Sequence, residues 1–116
     1  MVKNVKLSEV VEFLDEFCGV SKMRDFPPAH NGLQFENSGN ITRIAAAVDA
    51  GGAEIGIAAQ LGENLLIVQH GLFWNPPEPV VGGVYEKVKT LIDGDIAVYS
   101  VHLPLDAHDT IGNNVL

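Results

Sequence analysis

The chain has 116 residues and a formal charge of -8, from seven basic and fifteen acidic side chains, and 47% of its residues are hydrophobic. That length suits one packed core and leaves no room for a second full domain. The basic residues Lys3, Lys6, Lys22, Arg24, Arg43, Lys87 and Lys89 are scattered, which argues against a phosphate-binding patch and a nucleic-acid partner. An acidic surface is more compatible with divalent cations.

Cys18 is the single cysteine, so neither an intrachain disulfide nor a thiolate metal cage is available. With no signal-like leader and no run of about 18 apolar residues, a cytoplasmic protein without membrane contact is expected. A chain this small buries only about two thirds of its unfolded surface, so self-association is also expected.

Ser8 is placed to cap a first helix whose apolar face is Val10, Val11, Phe13, Leu14, Phe17 and Cys18, with Gly19 as its stop. On that face Cys18 reads as core rather than as a reactive thiol. Residues 20–40 read as irregular, since Pro27 and Pro28 forbid regular helix and Asn31-Gly32 and residues 37–40 are turn chemistry, with a short strand at Leu33–Phe35 between them. Ile41–Val48 reads as a strand whose small residues Ala45, Ala46 and Ala47 admit a close covering helix.

Gly51-Gly52 opens a second helix with Ile55, Ala58, Ala59 and Leu61 on one face and Gly62 as its stop. Leu65–Val68 is a continuous apolar run, the pattern of a strand buried on both sides in a parallel sheet. A loop over residues 75–83 precedes a third helix with Tyr85, Val88, Leu91 and Ile92 on one face and Gly94 at its end. Ile96–Val101 is the last strand. The order predicts an α/β domain over residues 1–116, built from two consecutive βαβ units. Its sheet is parallel or carries a mixed edge, with helices on its faces.

In such a sheet the carboxyl ends of the parallel strands share one edge, where ligands bind. Asp49 follows the first strand, Gln69 and His70 the second, and His102 the third, with Asp106 and His108 on the loop beyond. Imidazole and carboxylate donors suit zinc, manganese or iron(II), and His70 with Asp106 are the expected metal ligands. The bland alternative for each is a hydrogen-bonded loop anchor. No serine stands in a strand-to-helix elbow and no P-loop is present, while Gly51-Gly52 reads as a tight turn rather than a phosphate cradle. Phe73 and Trp74 read as packing or interface residues before a base-stacking pair.

Three segments, D-F-P-P-A-H-N-G-L-Q (25–34), V-Q-H-G-L-F-W (68–74) and H-L-P-L-D-A-H-D-T-I-G-N-N (102–114), resemble successive signatures of the NGG-one-interacting-factor-three family, also called GTP cyclohydrolase I type 2 homologs. The resemblance implies an α/β fold, a hexameric ring and a dinuclear divalent-metal site. It also implies metal-dependent hydrolysis of a small molecule, a nucleotide or pterin-like substrate. The family's metal ligands are a His-His doublet, an Asp, and a C-terminal His and Glu from a chain roughly twice this long. His70 matches the second His of the doublet and Asp106 the Asp, while Gln69 stands in place of the first His.

The ligand set is therefore expected to be incomplete, in a shortened or naturally short relative. A neutral amide is a poorer metal ligand than imidazole, and Gln69 favours a non-catalytic metal-binding or assembly module as the alternative function. His102 is expected to orient Asp106 or a water from outside the ligand set, His108 to hold a loop, and Asn31 to shape a turn or contact substrate.

Overall fold

Three apolar runs separated by two helices become three adjacent parallel strands. The computed structural model describes residues 5–21, 30–73, 78–106, 108 and 110–111. In chain order the elements are β1 (Val5–Lys6), α1 (Leu7–Phe17), β2 (Gly32–Phe35), β3 (Asn40–Ile41), β4 (Ile44–Asp49), α2 (Gly52–Leu61), β5 (Leu65–His70), α3 (Gly83–Asp93), β6 (Ala97–Ser100) and α4 (Leu103–Asp106). The main sheet runs β2-β6-β5-β4. β4, β5 and β6 are mutually parallel and β2 is antiparallel to β6. The expected βαβ pair is thus present, with an antiparallel strand on one edge.

The pleat sorts the core into two layers, because successive residues of a strand point to opposite faces. Leu66, Val68 and Val98 pack with Ile55 and Ala58 of α2 and Leu91 of α3. Leu65, Ala97 and Tyr99 pack with Leu7 and Cys18 on the face that α1 covers. β5 is central, with Leu65, Leu66 and Val68 at most 1% exposed, as its uninterrupted apolar run requires.

Several local expectations are corrected. Helix α1 begins at Leu7, one residue before Ser8, and Lys6 occupies the capping position without a side-chain cap. β1, paired with β3 in a two-stranded ribbon, precedes it, and the Leu7 N–H, one of the donors a helix start leaves open, finds the Gly39 carbonyl at 2.7 Å. Phe13 and Phe17 lie outside the core, 62% and 43% exposed. They overhang the β4 half of the sheet, where Ile44 and Val48 are also exposed. An apolar cleft of about 380 Å³ separates these layers.

The expected strand over Ile41–Val48 is two strands, broken at Thr42-Arg43. There the Asn64 Oδ1 accepts both backbone N–H groups and replaces the ladder. Ala46 is exposed on the α1 side of the sheet while Ala45 and Ala47 pack toward α2. Ala59 and Leu61 of α2 are exposed, as are Tyr85 and Ile92 of α3. The buried stripes are narrower than the apolar ones, since each helix has only one sheet face to cover. Gly62 ends α2 in the left-handed region, φ 70°, as a glycine stop should. Among the described residues no helix is long and apolar enough to cross a membrane.

Candidate functional site at the carboxyl edge of the sheet

The site follows from register and parity. Asp49 and His70 are paired across β4 and β5, and each continues the parity of residues that face α2 and α3: Ala45 and Ala47 on β4, Leu66 and Val68 on β5. Neighbouring strand residues on the same face are the ones whose side chains meet. The His70 Nδ1 lies 2.7 Å from the Asp49 Oδ1, a short hydrogen bond to a carboxylate. Both side chains are solvent-accessible, 45% and 65% exposed.

His102, two residues past the end of β6, has the parity of Ile96 and Val98, which pack on that same face. Its ring centroid is 5.4 Å from that of His70, with planes tilted by 50°. Three strand ends therefore bring Asp49, His70 and His102 together, as the edge argument expects. The backbone of Asp106 lies at the end of α4, four residues beyond His102. Its side chain is outside the described set, as are Trp74 and residues 112–116.

Asn31, just before β2, and Gln34, within it, hold this edge in place. The Asn31 Oδ1 accepts the His102 backbone N–H at 2.6 Å, so Asn31 fixes the end of β6 across 71 residues of sequence. Gln34 of β2 grips the loop after β5. Its Oε1 accepts the N–H groups of Leu72 and Phe73 at 2.7 and 3.2 Å, and its Nε2 donates to the carbonyls of Phe73 and His30 at 3.1 and 2.9 Å. A Cβ on Gly71 would stand 2.3 Å from the Gln34 Oε1, so a glycine lets the two segments approach. Asn31 and Gln34 both stand in the first signature segment, but three-residue spacing alone gives no sign of what they reach.

His108 belongs elsewhere. Its Nε2–H donates to the Phe17 carbonyl at 2.8 Å, its Nδ1 accepts from Thr110 and Ile111, and its ring lies against Phe17. Both nitrogens are engaged in anchoring the loop to α1, as expected of a loop-holding residue. Gln69 has the parity of Leu65 and Ile67, which pack on the α1 face, and its backbone carbonyl faces the Ser100 hydroxyl at 3.4 Å.

The described donors meet only part of a metal's needs. Imidazole suits zinc, manganese and iron(II), and rings 5.4 Å apart can both reach one ion at ordinary metal–nitrogen distances of about 2.0–2.1 Å. Among the described residues, however, no three His, Cys, Asp or Glu side chains form a group disposed to hold a metal ion. Across the sheet, Tyr99 donates to the Asp15 carboxylate at 2.7 Å. Burial, then Asp15, pushes its phenol far above the ordinary value. Burial, helped by Asp15, also pushes the Cys18 thiol up, which suits a core residue and not a nucleophile.

Fold and edge together define an α/β domain with a histidine- and carboxylate-bearing site at the carboxyl ends of its parallel strands. The chain belongs to the DUF34/NIF3 (NGG1p interacting factor 3) family, whose profile matches residues 5–116. It is 43% identical over 108 residues to the GTP cyclohydrolase 1 type 2 homolog of Deinococcus radiodurans, covering 93% of this chain and 40% of that protein. With the homolog of the same name from Treponema pallidum it is 52% identical over 87 residues, 74% of this chain and 30% of that one. The crystal structure of TTHA1606 from Thermus thermophilus superposes with a TM-score of 0.89 at 40% identity, over 94% of this chain and 45% of that chain. The chain thus spans less than half the length of these relatives.

Proposed function

We propose that the carboxyl edge holds a divalent metal ion, zinc, manganese or iron(II), with His70 and Asp106 as ligands. The observation that carries this reading is the convergence of Asp49, His70 and His102 from three strand ends onto one sheet face, with His70 hydrogen-bonded to a carboxylate. That is the usual environment of a metal-binding imidazole. When bound, such an ion supplies Lewis acidity and lowers the pKa of water toward neutrality. The parent chemistry is then metal-dependent hydrolysis, and the relatives' name, GTP cyclohydrolase 1 type 2 homolog, points to a nucleotide or pterin-like substrate.

Gln69 favours a second reading, a non-catalytic metal-binding or assembly module, because it removes an imidazole from the doublet. Metal analysis of protein purified without chelator, followed by zinc calorimetry of wild type and His70→Ala, tests the site itself. Binding that is equal in the two refutes it. Hydrolysis of GTP with and without added manganese or zinc then separates the two readings.

Self-association belongs to the same proposal, as a homo-oligomer and, as the family resemblance implies, a ring. Its support is the exposed apolar set Phe13, Phe17, Ile44 and Val48, since patches of this kind mark interfaces. Leu72, next to Phe73, packs against the core and adds nothing to this set. A concentration-independent monomer mass in sedimentation would defeat it.

A further inference from the structure

We infer that the β4 edges of two copies of this chain pair antiparallel about a two-fold axis at Ala46, joining two four-stranded sheets into one of eight strands and setting the partner's Arg43 beside Asp49. This deepens the self-association reading and rests on it for the existence of a dimer.

β4 ends the sheet order β2-β6-β5-β4, and among the described residues no strand lies beyond it. An edge strand presents unpaired N–H and C=O groups, which proteins usually guard with Lys, Pro, a charge within the strand or a covering segment. Residues 44–48 carry no such side chain. Open grooves of about 380 Å³ run along the strand on both faces, one lined by Phe13 and Phe17 and the other by Glu54 and Ile57 of α2. Ile44, Val48 and Ile57 are 52%, 61% and 55% exposed.

The edge is complementary to its own reverse. Antiparallel pairing centred on Ala46 sets Ala45 opposite the partner's Ala47, Ile44 opposite the partner's Val48 and Arg43 opposite the partner's Asp49, and the two-fold axis makes each contact twice. Side chains directly opposite on one face are the ones that interact. By alternation Ile44, Ala46 and Val48 serve the α1 side, where their contacts close the groove beneath Phe13 and Phe17. Arg43, Ala45, Ala47 and Asp49 serve the α2 side, where a guanidinium meets a carboxylate at each end of the ribbon. Sliding one strand by two residues sets Arg43 opposite Ala47 or Gly51 instead and loses the match. Both charged residues are exposed. The Arg43 Nη1 donates to the Leu61 carbonyl at 2.7 Å, which fixes the guanidinium beside the end of α2; with five N–H donors it can serve the carboxylate as well. Asp49 is hydrogen-bonded to His70, so the second copy adds a positive charge next to the candidate site.

The test uses the full 116-residue chain without metal. Sedimentation should show a concentration-dependent dimer, or a multiple of one, in wild type. Arg43→Glu should weaken association about tenfold, because two exposed pairs turn from attraction to repulsion, and Arg43→Glu combined with Asp49→Arg should restore it. Both variants lose the Leu61 bond, so restoration isolates the pairing across the axis. Opposed residues of an antiparallel ladder have Cα atoms about 4.5–5.5 Å apart, within the range a disulfide spans. Ala46→Cys should therefore cross-link to a dimer in glutathione disulfide, while Ile92→Cys, exposed on α3, and wild type, whose Cys18 is buried, should not. If the chain associates but Arg43→Glu associates equally and Ala46→Cys stays uncross-linked, the edge pairing falls and self-association stands. A monomer mass at every concentration overturns both and leaves the edge to an extended strand of some other chain.

Discussion

Gly71→Ala should destabilise the chain through Gln34 and through nothing else. Gly71 is not among the residues with positive φ, so alanine meets no backbone strain there. The added Cβ would lie 2.3 Å from the Gln34 Oε1 and 2.6 Å from both Cδ and Nε2, and the carboxamide must move. Moving it sacrifices three part-buried bonds, to the N–H groups of Leu72 and Phe73 and to the carbonyl of Phe73. The fourth, to His30, is exposed. At about 1 kcal/mol for each part-buried bond, less what water recovers, the cost is about 2–3 kcal/mol. Urea denaturation reads this as a midpoint lowered by about 1–2 M. The decisive comparison is the cycle with Gln34→Ala: once the carboxamide is gone, alanine at 71 has nothing to displace, so the double variant should be no less stable than Gln34→Ala. Additive losses would show that Gly71 matters for another reason and refute the argument.

Asn31→Ala should cost about 1 kcal/mol by leaving the His102 N–H without its acceptor, and should also weaken zinc binding by loosening the end of β6; unchanged stability by urea denaturation would contradict the bond at 2.6 Å. Gly62→Ala should cost about 1–2 kcal/mol, because φ is 70° while no atom stands within 4 Å of the new Cβ, making the penalty purely conformational. The raised Tyr99 phenol makes stability pH-dependent on the alkaline side. The contribution is complete below the ordinary value of 10.0 and is lost as pH rises above it, at up to about 1.4 kcal/mol per pH unit. Tyr99→Phe should therefore be less stable than wild type at neutral pH and should close the gap at pH values above 10.0, read from urea midpoints across that range.

Much of the fold was legible because its main signals are binary. The unbroken run Leu65–Val68 is too short for a helix and is bounded by turn residues, which leaves a buried strand, and Gly62 marks a helix end by its conformational freedom. Alternation of apolar runs with amphipathic segments then leaves two βαβ units as the economical arrangement. Less legible were features decided by tertiary partners. Nothing local distinguishes Phe13 and Phe17 from Val11 and Leu14, and only the extent of sheet beneath α1 leaves the former exposed. The break between β3 and β4 depends on Asn64, more than twenty residues away, and the β1–β3 ribbon on pairing between two-residue segments too short to carry a period. For the candidate site, strand-end position was enough to place Asp49, His70 and His102 along one edge, because topology alone gathers them. It was not enough to find that Asn31 and Gln34 reach across the sheet, since a polar side chain in a turn looks the same whether it bonds its own backbone or a distant one.

Position 69 is where family resemblance and sheet geometry pull apart. The resemblance treats residues 69 and 70 as neighbouring ligands, yet adjacent strand residues project to opposite faces. Leu65 and Ile67 belong to the core under α1, and Leu66 and Val68 to the core under α2 and α3. By that alternation residue 69 serves the α1 side of the edge and residue 70 the side where Asp49 and His102 stand. An imidazole at 69 would then sit beside a different point from the one His70 addresses, and Gln69 subtracts a donor there while leaving the His70 group intact. In zinc calorimetry Gln69→His should accordingly leave the affinity of the His70 event unchanged and add a second, weaker event. A rise in affinity of about tenfold, equivalent to about 1.4 kcal/mol, at unchanged stoichiometry would mean that both rings chelate one ion at the strand tip and that alternation fails at the end of β5.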